Sequence, residues 1–204
     1  MLCHWREKSN GKKMGSAAVK TFRVGVDLDG VCYDFGAALK KFLVDHEGFD
    51  EALLGETKVW DFFLEWGLSL ETYLDYYAKG VDAGVVLLHG DPHEGCRWFM
   101  QRLKDDGHTL HIVTYRTVGR RAVQNTMEWL QRETIPYDSV TFSKDKTIIA
   151  NDIFIEDNVE NYHALMAAGI EAYLMDRPWN QHEQNANRVY SWEDFYWKVN
   201  ERSR

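Results

Sequence analysis

Cysteine is sparse in this 204-residue chain: Cys3, Cys32 and Cys96 are the whole complement, and no two form a C-x-x-C pair. An odd count without paired spacing argues against a disulfide framework or a zinc knuckle. A reducing cytoplasm is then the simplest setting. No apolar run approaches the roughly 18 residues of a membrane span, and the N-terminal stretch lacks the apolar centre of a secretory signal. There is no internal repeat. Basic charge is scarce beyond the N-terminus. The formal net charge is −8, and residues 1–20 carry five Lys/Arg against one Glu, so the rest of the chain stands at −12. So acidic a body lacks the basic stripe that tracks a nucleic-acid polymer. A single nucleotide held through a metal ion remains compatible with it. The eight His show no metal-ligand spacing on a helix, and His108 and His111, which flank a strand, read as structural.

Apolar residues make up 45% of the chain, ample for a packed core, and aromatics 14%, with eight Trp. Residues 1–20 are rich in Lys, Gly and Ser without periodicity, the composition of a disordered basic tail. Met14 is a candidate start within it. The stretch that organises the remainder is Arg23-Val24-Gly25-Val26-Asp27-Leu28-Asp29-Gly30-Val31. Val24 to Val26 reads as a buried parallel strand. It ends on two carboxylates two residues apart, followed by a glycine that permits a sharp turn. Ligands of open α/β sheets bind beyond the carboxyl ends of strands, so this end is a candidate metal and phosphate site. A plain turn is the bland alternative. A calcium loop fails for want of further ligands and a closing Glu.

Downstream, strands are expected near 22–27, 109–114, 139–142, 153–155 and 171–175. A helix with the stripe Phe35, Ala38, Leu39, Phe42, Leu43 is expected after the first strand. Residues 36–89 read as a small helical cap, in which Ser69 caps a helix with the stripe Leu70, Tyr73, Leu74, Tyr77 that ends at Gly80. Asp91-Pro92-His93-Glu94 reads as a helix start, with Cys96, Phe99, Met100 and Leu103 inward. A helix over 118–132 should bury Val123, Thr126, Met127 and Leu130. Further helices are expected at 159–168 and from 192 to about 201, the latter capped by Ser191. Strands alternating with helices indicate an α/β fold, a parallel Rossmann-like sheet with helices on both faces. Its core would be 21–35 and 90–204.

Three other strand ends carry chemistry: Thr114 with Tyr115 and Arg116 beyond it, Lys146 ahead of the fourth strand, and Glu156-Asp157 after it. Two acids, a hydroxyl, a cation and two more acids thus gather at one sheet edge. The ensemble resembles the haloacid-dehalogenase-like (HAD) phosphohydrolase superfamily, through D-L-D-G-V at 27–31, Thr114, Lys146 and Glu156-Asp157. VGVDLDGVCYDF at 24–35 and DKTIIANDIFIED at 145–157 bring it nearest to the 5′(3′)-deoxyribonucleotidase family. The spacing of the second stretch selects Lys146 over Lys144. Glu156-Asp157 stands where the family often has Asp-Asp, and the 47–89 insert matches loosely.

The resemblance implies a magnesium-dependent phosphatase of deoxynucleoside monophosphates. Asp27 is the implied nucleophile and Asp29 the acid/base. Thr114 and Lys146 hold the phosphate. Mg²⁺ is implied between Asp27, the Asp29 carbonyl and Asp157, with Glu156 assisting. Phe35 would line the nucleobase pocket, with Trp60, Phe62 and Phe63 as candidates to complete it. Arg116 is a candidate contact to phosphate or base. The expected partner is a small-molecule nucleotide, with no nucleic-acid polymer and no membrane, and a homodimer is an admissible assembly. The same chemistry on another small phosphomonoester is the runner-up. A non-catalytic module of the same fold is the reading from a different class.

Overall fold

The computed structural model describes residues 20–203. The expected basic tail, Lys20 excepted, and the candidate start at Met14 lie outside them. The described residues form one parallel sheet of six strands: β1 (Arg23–Val26), β2 (Thr109–Thr114), β3 (Ser139–Phe142), β4 (Ile153–Glu156), β5 (Glu171–Met175) and β6 (Arg188–Val189). Their order is β3-β2-β1-β4-β5-β6. The chain winds outward through β2 and β3, then returns to the other side of β1 for β4. The crevice beside β1 is therefore the topological switch point, where α/β sheets bind ligands.

Side chains alternate across the sheet as strand geometry requires. Val24, Val26, Ile112, Ile153 and Ile155 join the larger core cluster, and Val113, Phe154, Ala172 and Leu174 the smaller. The larger core receives α1 (Phe35–Glu47), α3 (Leu70–Asp82), α4 (Cys96–Asp105), α5 (Ala122–Arg132) and α7 (Trp192–Ser203). The opposite face is covered by α6 (Val159–Ala167) through Tyr162 and Leu165. Together with the four-residue α2 (Phe62–Glu65), α1 and α3 occupy the long insertion between β1 and β2. The α1 stripe is as expected, with Ala38, Leu39, Phe42 and Leu43 buried. Ser69 and Ser191 accept the amides of Thr72 and Asp194 at the starts of α3 and α7.

Four expectations are corrected. Asp91-Pro92-His93 does not open a helix. Asp91 and His93 bond to the backbone of Asp34 and Cys32, and Pro92 bridges Tyr33, so the segment is held extended. Helix α4 starts only at Cys96, after Gly95 at φ +78°. Gly80 does not end α3. It lies inside the helix because a Cβ there would stand 2.6 Å from Val86 and 3.0 Å from Phe42, so its bareness serves packing. On α3 the buried face is Tyr77, Gly80 and Val81, and Leu70 and Leu74 are exposed. Helix α5 starts at Ala122, because the Asp82 carboxylate takes the amides of Arg120 and Arg121 and holds 118–121 as a turn. Its inward residues are Ala122, Asn125, Thr126, Trp129 and Leu130, and Val123 faces solvent.

Candidate active site

Strand β1 delivers Asp27 at its carboxyl end, where the Asp27 amide still bonds to Ile155 of β4. The chain then turns at Gly30, whose φ of +75° suits glycine. Glycine is needed there for a second reason. A Cβ at position 30 would lie 2.1 Å from an Asp157 carboxylate oxygen. The bare turn lets the acid after β4 approach the acid after β1.

Asp27, Glu156 and Asp157 are all buried, and each can offer a carboxylate oxygen within 4.8 Å of the others. Lys146, also buried, donates to Asp27 Oδ1 at 2.5 Å and to the Val113 carbonyl at 2.7 Å. Its Nζ is 4.0 Å from Glu156 Oε2. The other Glu156 oxygen accepts from the Asn158 amide and Asn161 Nδ2, and Oε2 finds no hydrogen-bond partner among the described residues. Burial pushes the Asp27 carboxyl up, with Lys146 opposing and Asp29 adding. Burial and the Asp27 charge push Glu156 up to about 7. Burial and Glu156 raise Asp157 well above the carboxylate range. Burial works against the Lys146 ammonium, and the charges of Asp27 and Glu156 outweigh it, so its pKa rises. Three buried acids with one cation leave an excess of negative charge and an unsatisfied oxygen. Such a cluster fits a divalent metal with oxygen ligands. The Asp29 carboxylate is not part of it.

Above the cluster opens a cavity of about 510 Å³. Its floor includes Asp27, Asp29, Lys146, Glu156 and Asp157, and its wall Phe35, Phe62, Tyr73 and Tyr77. Phe35, the first residue of α1, meets Tyr77 edge-on at 4.8 Å and Phe62 at 6.5 Å between ring centres. Trp60 sits at the cavity margin, 55% exposed, so it is no core residue of the insert. Phe63 stacks on Tyr73 at 4.4 Å and is buried. Thr114 ends β2 with a buried hydroxyl that has no partner among the described residues, and it lies behind the cavity surface, outside its lining.

Arg116 departs from expectation. It does not line the cavity. It is wholly buried, and its guanidinium holds the Asp29 carboxylate, NH2 to Oδ1 at 2.7 Å and Nε to Oδ2 at 3.0 Å. Three contributors had no signal strong enough to single them out from sequence. The Trp179 indole donates to Asp157 Oδ2 at 3.0 Å from a turn beyond β5. Asn161 steadies Glu156 from the first turn of α6. His93 lines the cavity with an unpartnered Nε2, and burial with the Arg177 charge lowers its pKa to about 4, leaving a neutral ring.

A parallel sheet that collects this acid cluster beyond its central strand has the fold of haloacid-dehalogenase-like hydrolases. Solved structures share the fold. A HAD-superfamily hydrolase of Geobacter sulfurreducens superposes with a TM-score of 0.60 over 88% of this chain and 96% of that one, at 13% identity. A dehalogenase gives 0.59 over 88% and 97%, at 14% identity. At such identities the likeness shows the fold alone.

Sequence goes further. Residues 20–202 match the family described as "5′ nucleotidase, deoxy (Pyrimidine), cytosolic type C protein", and the chain belongs to that family. A Chlorobaculum tepidum protein described as "Putative 5′(3′)-deoxyribonucleotidase" is 32% identical over 180 residues, 85% of this chain and 87% of that protein. A nucleotidase of Clostridium acetobutylicum is 37% identical over 79 residues, 35% of this chain and 41% of that protein. The chain is thus a phosphoric monoester hydrolase of the nucleotidase type. No helix among the described residues is long and apolar enough to cross a membrane.

Proposed function

We propose that this enzyme hydrolyses deoxynucleoside monophosphates in the cytoplasm, with Mg²⁺, through a phosphoryl group carried on Asp27. The observation that carries the reading is a buried floor of Asp27, Lys146, Glu156 and Asp157 under a wall of aromatic rings. The floor suits a phosphate and a cation, and the wall suits a flat base. The helical segment 36–89 acts as the cap over the sheet, and 21–35 with 90–204 as the core.

Phosphoryl transfer needs an in-line nucleophile, charge neutralisation and a proton for the leaving oxygen. An Asp27 oxygen attacks phosphorus while the bond to the nucleoside oxygen breaks. Asp29 gives that oxygen its proton. Water then attacks the phosphorus on Asp27, Asp29 takes a proton from it, and inorganic phosphate leaves. Lys146 and the free Thr114 hydroxyl hold the phosphate oxygens. Asp27, Asp157, Glu156 and the Asp29 carbonyl would hold Mg²⁺, which when bound neutralises phosphate charge. Trp179 and Asn161 keep two of those carboxylates aimed.

A phosphate-release screen over deoxy- and ribonucleoside monophosphates and sugar phosphates, with Mg²⁺ and with Ca²⁺, tests the reading. Preference for a deoxynucleotide with Mg²⁺, and inhibition by the larger Ca²⁺, is expected. Preference for a sugar phosphate would reject the substrate. Full activity in Ca²⁺ alone would reject the proposed coordination.

A further inference from the structure

Among the described residues, Arg116 is the largest charged side chain buried completely. Its guanidinium lies 4.4 Å from the centre of the Tyr33 ring and 5.8 Å from that of Trp129. Both rings are themselves tied to the chain returning from the insertion. The Tyr33 hydroxyl accepts the amides of Leu87 and Gly90, and the Trp129 indole donates to the Gly90 carbonyl. NH1 reaches the Thr126 hydroxyl at 3.4 Å, and that hydroxyl is spent on the Ala122 carbonyl. The guanidinium is thus boxed in on several sides. Among the described residues its one carboxylate partner is Asp29. Asp29 in turn is 31% exposed on its side chain and lines the cavity that Arg116 does not reach.

We propose that Arg116 is a positioning residue for Asp29, acting on the leaving group through that carboxyl and never touching substrate. The inference rests on the phosphatase reading above. The planar fork fixes the carboxyl in one plane and rotamer, which a point-charge Lys could not do. A carboxyl group has acceptor capacity beyond the three contacts that Arg116 makes. Asp29 therefore keeps an acceptor position open toward the cavity it lines. In the first half-reaction, the bond from Asp27 to phosphorus forms, the bond to the leaving oxygen breaks, and the Asp29 proton goes to that oxygen. In the second, the water oxygen bonds phosphorus, the Asp27 bond breaks, and a water proton returns to Asp29. Arg116 exchanges no proton in either. Its loss should matter most where the leaving oxygen is strongly basic, since only such a leaving group depends on protonation.

The experiment compares kcat/KM for a deoxynucleoside monophosphate, whose leaving oxygen is an alkoxide, with that for p-nitrophenyl phosphate, whose leaving group departs unprotonated. Wild type and Asp27→Asn come first. Without Mg²⁺-dependent hydrolysis in the wild type, or with full hydrolysis in Asp27→Asn, it is the phosphatase reading that fails. Given those controls, Arg116→Met should lose about 10²-fold on the nucleotide and under about 10-fold on the aryl ester, within the range for general acid catalysis. Equal losses on both esters would overturn the proposal. Arg116→Lys keeps the charge and should show the same selectivity with a smaller loss. Should Arg116→Met alone fail to fold, the pair Asp29→Asn and Asp29→Asn/Arg116→Met decides, because the double variant leaves neither the Asp29 carboxylate nor the buried guanidinium without its partner. Adding Arg116→Met to Asp29→Asn should change nucleotide hydrolysis less than about 2-fold. A further independent 10²-fold loss would show that Arg116 acts by another route.

Discussion

Asp27, Lys146, Glu156 and Asp157 on the cavity floor are each less than a tenth exposed, whereas the wall has Trp60 at 55% and Leu70 at 57%. The acids of the floor come from strand ends in one sheet, whose spacing is fixed by the ladder from Val24 to Ile153 and from Val24 to Leu110, and Lys146 comes from the turn Lys146–Ile148 ahead of β4. The wall comes from the insertion that holds α1, α2 and α3, where Phe35 meets Tyr77 edge-on and Phe63 stacks on Tyr73. Burial makes every charge on the floor depend on its neighbours, so a change to one side chain there disturbs the reaction itself. The wall has partly exposed rings with few polar obligations. A change there should alter which substrate is preferred and leave the chemistry standing.

The largest expected effect tests the floor. Asp27→Asn keeps the shape but removes the attacking charge and a metal ligand. Turnover should fall on the order of 10⁴-fold or more for every substrate, with the fold retained by circular dichroism. Near wild-type turnover in the presence of Mg²⁺ would remove Asp27 as nucleophile. Gly30→Ala probes the same floor by geometry. Its Cβ would meet Asp157, and φ would stay at +75°. Mg²⁺ affinity, followed by titration calorimetry, should drop at least about 10-fold by displacement of that ligand. Asp157→Ala should show a similar weakening, with part of the activity recovered at high Mg²⁺. Unchanged Mg²⁺ dependence in both variants would take Asp157 out of the coordination shell.

The wall should respond selectively. Phe35 lines the cavity and has its partners in Tyr77 and Phe62. Stacking of a base on an aromatic is worth about 1–3 kcal/mol. Phe35→Ala should therefore lower kcat/KM for a deoxynucleotide about 5- to 150-fold, and that for p-nitrophenyl phosphate far less. An equal loss on both would place Phe35 in the fold's support and return the substrate to the wider class of small phosphomonoesters. Trp60→Ala, at an exposed margin, should shift the nucleotide alone and leave the melting temperature within about 1 °C.

The same contrast explains what could be read from sequence. The floor was legible because a buried strand ending in D-x-D-G and a second ending in Glu-Asp state both their structure and their chemistry within a few residues. Lys146 was legible through the spacing by which the stretch resembles the family; it is buried against Asp27, whereas Lys144 lines the same cavity from an exposed position. Trp179 was not, since it reaches Asp157 from a turn without periodicity, 22 residues downstream. Arg116 was a candidate for the cavity because it stands just past a strand end, and nothing local in the sequence says which way it turns. What turned it inward is the pocket of Tyr33, Thr126 and Trp129, assembled from two distant segments. The start of α4 failed for a like reason. Asp91-Pro92 is a good local cap, but pairing with Tyr33 and Asp34 overrides a local preference. Strand β6 was missed because two residues carry no alternation.

The smallest effect concerns stability and isolates Glu156. Its folded pKa is pushed up to about 7 by burial and by Asp27, from an ordinary value of 4.5. For an acid raised in the folded state, the stability is fully present below the unfolded pKa and is lost as pH rises through the folded one. Metal-free enzyme should therefore lose stability between about pH 4.5 and about pH 7, by up to about 3 kcal/mol from this group. At roughly 2–4 °C per kcal/mol for a chain of this size, the melting temperature should fall by several degrees over that window. Glu156→Gln keeps an acceptor for Asn158 and Asn161 while removing the charge, so its melting temperature should fall less over the same window. Mg²⁺ binds the ionised cluster, so the rise in melting temperature on adding it should be larger at pH 8 than at pH 5. A metal-free melting curve equally flat for wild type and Glu156→Gln between pH 4.5 and 7 would mean that the Lys146 ammonium fully offsets the burial of the Glu156 charge and its repulsion by Asp27.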